Sequence, residues 1–225
     1  MLFLMALFVI IMLFTYLLIP IIVFFGIGFL FLLPYVFVFN SFYNVVTIPW
    51  QILKIAFDRR IRKNHSLEHA TINVMEERYG RTLQVGGLAD PNGFSLSGPD
   101  LPPLHEVMSA VREGQFRMMN GEKSLAIHPR CGTSIAAANF LFSLVFIIIL
   151  FSSHNFNILN VIMAFLLANI LAKPFGRILQ RFFTIYPVVD DVAIQDIYVQ
   201  PLKRGLPFIV IMGFNRSYYI RTYQS

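Results

Sequence analysis

Long stretches of this sequence lack charge altogether. None of its 18 Lys/Arg and 12 Asp/Glu residues falls within residues 1–53 or 131–172. Ionised side chains are costly at the centre of a bilayer, so runs of this length without one read as membrane-embedded and argue against a soluble chain. Charged residues make up only 13% of the total, about half the ~25% usual in a soluble domain. Cysteine is nearly absent too. A single Cys131 excludes an intramolecular disulfide, fits a reduced compartment, and leaves one thiol free to act as a ligand or nucleophile. There is no internal repeat, no low-complexity stretch and no Gly-rich phosphate loop.

What is present agrees with a membrane setting. Hydrophobic residues reach 56% and Phe alone numbers 24. At 225 residues the chain has room for a few transmembrane helices and one small polar domain, not for two globular domains. The net charge of +6 and pI ≈ 9.6 would suggest nucleic acid in a soluble protein. Here no recognition module accompanies the charge, and Lys/Arg beside apolar blocks is what the positive-inside bias produces, so no nucleic-acid partner is expected.

Residues 1–39 are almost wholly apolar, start without a basic region and lack a small-residue cleavage site, which predicts a retained anchor. The run is about twice the ~20 residues of one crossing. Pro20, Gly26, Gly28 and Pro34 offer turn points, so a hairpin turning near Pro20 to Gly28 is expected, with one crossing plus an interfacial helix as the alternative. Tyr43, Pro49 and Trp50 mark its interfacial end. A second block predicts helices at Ser134–Phe151 and Ile158–Ala172, joined by the uncharged loop Ser152 to Asn157. Two crossings there place both charged blocks on one face, and the basic excess makes that face cytoplasmic.

The polar parts read as α+β. A helix is expected from Phe57 to about Tyr79, stopped by Gly80, and another over Leu104 to Met119. Short strands are expected within Thr82 to Ser97. An amphipathic stretch, Phe175 to Tyr186, should precede β-like runs at Val192–Val199, Phe208–Met212 and Tyr218–Tyr223 that pair with Thr82–Ser97 into a small sheet. The expected fold class is thus a predominantly α-helical integral membrane protein, with about four transmembrane helices and a small cytoplasmic α+β domain. Its parts are an N-terminal hairpin and interfacial segment (1–53), a segment bearing the first motif (54–130), a second hairpin (131–172) and a helical and β-rich tail (173–225).

The first charged block contains His65-Ser66-Leu67-Glu68-His69, an H-x-x-E-H pattern, the inverse of the zincin motif. On a helix His65 and His69 lie one turn apart on one face with Glu68 beside them. Two imidazoles so placed can share a tetrahedral ion, Zn²⁺ being the expected one, and Glu68 becomes the candidate general base towards water that the ion acidifies. A third ligand must come from elsewhere. Glu76 is on the same face but about 10 Å along the axis from His69, which suits a supporting role, as does Asn73. Better candidates are His128 and Cys131 in His128-Pro129-Arg130-Cys131-Gly132-Thr133-Ser134. His105 reads as surface helix, and His154 falls across the membrane.

Both motifs, together with Gly93 to Gly98, resemble the conserved blocks of a bacterial multi-pass membrane-protein family. That family is known from cyanobacteria and related phototrophs and is catalogued as a domain of unknown function. A second uncharacterised bacterial family is similar at the same two places, pairing H-G-A-E-H-K with H-P-R-C-G-T-S. The resemblance covers about residues 58–175. It implies a bacterial inner or thylakoid membrane protein in which His65, Glu68, His69, His128 and Cys131 belong to one site, and it supplies no activity. The H-x-x-E-H pentamer also resembles inverzincin peptidases, which are large, soluble and ligated by a downstream Glu without a counterpart here.

The function expected from these residues is a membrane-bound, metal-dependent hydrolase, peptidase-like, at the cytoplasmic interface. Its partners would be the lipid bilayer and a membrane-protein or peptide substrate. The alternative is a non-catalytic scaffold or assembly factor with a closed structural metal site. A transporter fits less well, because the apolar blocks contain no ionisable side chain to line a pathway.

Overall fold

The computed structural model describes residues 2–154, 157–200 and 217–224, and its elements follow the charge segregation. Helix α1 spans Leu2–Phe57. Asp58 then breaks the chain for one residue in an extended conformation and caps α2, Arg59–Tyr79, by accepting from the Arg60 and Ile61 amides. Gly80 ends α2 at φ 61°, a left-handed position that favours glycine. Next come β1 (Gly86–Asp90), β2 (Gly93–Ser97) and α3 (Leu104–Met119). A 3-10 turn at Lys123–Ala126 leads to α4 (Gly132–Ser153) and α5 (Ile158–Leu179), followed by a π-helical turn at Gln180–Thr184. Strands β3 (Val192–Val199) and β4 (Ser217–Gln224) complete the described chain.

Four stretches among the described residues are long and apolar enough to cross a membrane: Met5–Phe29, Tyr35–Phe57, Gly132–Ser153 and Ile158–Thr184. The first two lie on one uninterrupted helix, so the expected N-terminal hairpin is not formed. Pro20, Gly26, Gly28 and Pro34 are all accommodated within α1. A proline removes one ladder hydrogen bond without obliging the chain to reverse, and apolar helices tolerate it. The C-terminal half of α1 packs on α4 through Phe37 against Phe146 and Phe42 against Phe151, each pair 6.4 Å between centroids, and Asn44 donates to the Ser143 hydroxyl at 3.1 Å. Helix α5 likewise runs on past Ala172, through Lys173 and Pro174 to Leu179, so the amphipathic stretch expected from Phe175 is partly its continuation.

The strands form one antiparallel sheet in the order β1-β2-β4-β3, so the tail does pair with the Thr82–Ser97 segment. The expected run at Phe208–Met212 lies outside the described residues. One face of the sheet, with Phe94, Leu96, Tyr218 and Ile220, packs against Leu67, Val74 and Met75 of α2 and Val107 and Val111 of α3. This core pins α2 between the sheet and the ends of α4 and α5.

Candidate metal centre

Helix α2 carries a polar sequence, yet Lys63 through Ile72 are buried without a break. Tertiary partners enclose it on every side. Asn64 donates to the Asp90 carbonyl at 2.7 Å and accepts from Thr222 at 2.8 Å, tying it to β1 and β4. Arg62 donates to the Ile185 carbonyl at 2.8 Å, and the Tyr186 amide donates to Ser66 Oγ at 2.9 Å, holding the segment after α5. Lys63 is paired with Asp191.

Inside this sleeve the H-x-x-E-H face meets Cys131. His65 Nδ1 lies 2.9 Å from the Thr184 carbonyl, and His69 Nδ1 lies 2.7 Å from that of Ala126. A carbonyl can only accept, so each Nδ1 carries a proton, which leaves Nε2 as the atom able to ligate. His65 Nε2 is 3.2 Å from Cys131 Sγ. One ligand atom from each of His65, His69 and Cys131 falls within 4.8 Å of the others, and these three residues can hold a metal ion. Carbonyls that orient ligating imidazoles in this way are typical surroundings of a metal centre. Two atoms add to that fit. His69 Nε2 and Glu68 Oε2 are fully buried and have no hydrogen-bond partner among the described residues, an arrangement that costs free energy unless something else is bound.

Electrostatics follow from enclosure. Burial pushes the Glu68 carboxyl up to about 8, partly offset by His65. Burial also lowers His69 and His128, which favours their neutral, ligating forms. The Cys131 thiol is raised by burial, but the adjacent His69 and Thr133 outweigh that and bring it below its ordinary value. Cys131 is also the N-cap of α4, its sulfur accepting from the Thr133 amide at 3.3 Å.

His128 is close but otherwise engaged. Its ring centroid is 5.9 Å from that of His69, while its Nε2 faces Glu76 Oε2 at 3.4 Å, so it stands outside the three-residue group. Glu76 takes the supporting role its distance implied, accepting from the Leu83 amide at 2.8 Å and from Arg130. Asn73 does so too, donating to the Leu125 and Ile127 carbonyls at 2.8 and 3.0 Å on either side of the carbonyl that holds His69. His105 and His154 are exposed and remote from the group.

Four participants escaped the sequence reading. Gln180, fully buried, donates to the His128 carbonyl at 3.0 Å, accepts from the His128 amide at 3.1 Å, and so braces the loop bearing Cys131. Thr184 and Ala126 act through backbone carbonyls, which no side-chain pattern reveals. Gly87 of β1 lies so close to Glu68 that a Cβ there would overlap the carboxyl. The Gly86-Gly87 pair in an otherwise strand-like run was the one available signal. Beside the cluster opens a cavity of about 190 Å³, lined by His65, Glu68, Cys131, Gly87, Ile52 and Ile55 among others.

No solved structure matches the chain. An uncharacterised protein of the cyanobacterium Picosynechococcus sp. is 38% identical over 85 residues, which is 34% of this chain and 40% of that relative. The matched stretch therefore spans well under half of the relative's length. Residues 60–197, from the first turn of α2 to β3 and including His65, Glu68, His69 and Cys131, match one family, and the chain belongs to it: a domain of unknown function (DUF6391).

Proposed function

We propose that the protein is a membrane-bound, zinc-dependent hydrolase acting on peptide bonds where its polar domain meets the bilayer, on the cytoplasmic side. The observation that carries this reading is the union of three convergent ligands with a buried, unpartnered carboxylate at the wall of a cavity. His65, His69 and Cys131 would hold the ion, a nitrogen and sulfur donor set suited to zinc. When bound, zinc would supply Lewis acidity at neutral pH. Glu68, raised by burial without the ion, would be returned to its ionised form by the charge of a bound dication. In that form it does the proton work: Oε2 takes a proton from the attacking water as its oxygen adds to the carbonyl carbon. It then returns that proton to the nitrogen as the C–N bond breaks. Gly87 leaves the space in which that carboxylate sits. Membrane placement rests on the four apolar spans, and the cytoplasmic orientation on the basic excess.

A structural metal site in a scaffold or assembly factor is the competing reading, favoured by the low exposure of the ligands, 8% for His65, 1% for His69 and 6% for Cys131. Three ligands rather than four, and an opening on the Glu68 side, support catalysis instead. The test is Glu68→Gln in purified protein, assayed for metal content and for cleavage of a quenched-fluorescent peptide library. Retained zinc with turnover reduced at least 100-fold supports the hydrolase. Cleavage undiminished by the substitution overturns it.

A further inference from the structure

The sheet edge nearest the His65, His69 and Cys131 group has no strand neighbour among the described residues. β1 is an outer strand, and among the described residues it pairs only with β2. The register shows which backbone groups face outwards. The Thr222 amide donates to the Asn92 carbonyl at 2.8 Å, so 92 and 222 form a hydrogen-bonded pair, and Phe94 and Leu96, opposite Ile220 and Tyr218, direct their backbone groups at β4. Gly93, Ser95 and Ser97 then address β1 at Asp90, Leu88 and Gly86. The N–H and C=O groups of Gly87 and Ala89 project away from β2, off the open edge.

That edge borders the cavity beside Glu68. Gly87, Leu88 and Ala89 all line it, although successive side chains of a strand point to opposite faces. What the cavity meets is therefore the strand's edge. A separate cavity of about 310 Å³ is lined by the preceding residues Val85 and Gly86 together with Ser97, Pro99 and Arg130. Besides β1 and the cluster, the lining of the cavity beside Glu68 is mostly apolar, with Ile52 and Ile55 of α1 and Ile61 of α2 next to Gln51, and it includes no Lys or Arg.

Resting on the hydrolase reading for its purpose, we infer that the outer edge of β1 binds the substrate as an added strand. The ligand is an extended, apolar polypeptide segment. Its backbone pairs with Gly87 and Ala89, and its side chains enter the cavity against Ile52, Ile55 and Ile61. Main-chain pairing supplies the affinity and carries the chain past Glu68, while the apolar wall selects against charged side chains. The location at the end of α1 suits segments emerging from the bilayer.

The test uses full-length protein in detergent and a fluorescein-labelled, terminally blocked peptide with a central Leu-Val-Ala-Leu-Val run flanked by lysines. Binding is read by fluorescence anisotropy, with no turnover required. Only alternate amides of an added strand face its neighbour, so N-methylating one alternate set should weaken binding about tenfold or more, while methylating the other set changes it less than about twofold. Equal effects of the two sets, or no saturable binding up to millimolar peptide, overturn the inference. Ala89→Pro, which deletes one outward N–H, should weaken the unmodified peptide with metal content unchanged. Phase-dependent binding without cleavage would leave this inference standing and remove the hydrolase reading. Cleavage without phase dependence would do the reverse.

Discussion

The first half of α1 and the first half of α2 invert the usual rule of burial in opposite ways. Met5–Phe29 is almost purely apolar and none of it is buried. Lys63–Ile72 is rich in polar and charged residues and all of it is buried. In water, an exposed apolar helix is unfavourable at roughly 25 cal/mol per Å² of apolar surface, so the state of α1 fits lipid as its surroundings. A polar helix enclosed by protein carries a desolvation cost that only partners can offset. In α2 nearly every polar atom has one, and the exceptions, His69 Nε2 and Glu68 Oε2, sit at the metal cluster. One helix thus fits lipid around it, and the other fits an ion bound at its two unpartnered atoms.

The sharpest way to break this comparison is to remove the ligand. His69→Ala should take the protein from about one zinc per chain to nearly none by elemental mass spectrometry of detergent-purified material. Full metal retention would mean that the cluster is not the binding site. Next, the two helices should answer truncation differently. Leu67→Ala, at a fully buried α2 position, should cost about 2–5 kcal/mol in thermal or denaturant unfolding. Phe14→Ala in α1, 63% exposed, should stay within about 0.5 kcal/mol. Comparable losses would mean that α1 is covered by protein.

Charge tests α1 directly. Leu13→Arg should disfavour membrane insertion by about 2.5–3.5 kcal/mol, visible as a lower inserted fraction in a glycosylation-mapping assay. Insertion equal to wild type would argue that this stretch lies outside the bilayer. A more modest loss than at Leu67 or Leu13 is expected at Gly87. Gly87→Ala places a methyl on the Glu68 carboxyl and should destabilise the fold by about 1–3 kcal/mol as the crowded site adjusts. Zinc content should stay near one per chain, because the three atoms nearest that methyl all belong to Glu68.

Much of this architecture was legible in one dimension because it depends on local pattern. Gly80 stops α2 where a left-handed residue is needed, α3 occupies Leu104–Met119 between the Pro102-Pro103 and Asn120-Gly121 boundaries, and β3 matches Val192–Val199. Breaker residues were less informative in apolar surroundings. Pro20 and Pro34 in α1 and Pro174 in α5 lie within continuous helix, because neither water nor a turn competes strongly for the backbone there.

The sequence by itself determined where charge is excluded, hence the four apolar spans, and it placed His65, Glu68 and His69 on one helical face. Helical spacing guarantees that face whatever the rest of the chain does. The tertiary structure alone decided that Cys131 stands with His65 and His69 in a group that could hold a metal ion, that Glu76 and Gln180 hold the loop from His128 to Cys131, and that among the described residues an unpaired strand edge runs beside Glu68. These outcomes depend on contacts between residues dozens of positions apart. They arise when packing the sheet on α2 and docking α4 set the distance, and no local pattern encodes a distance.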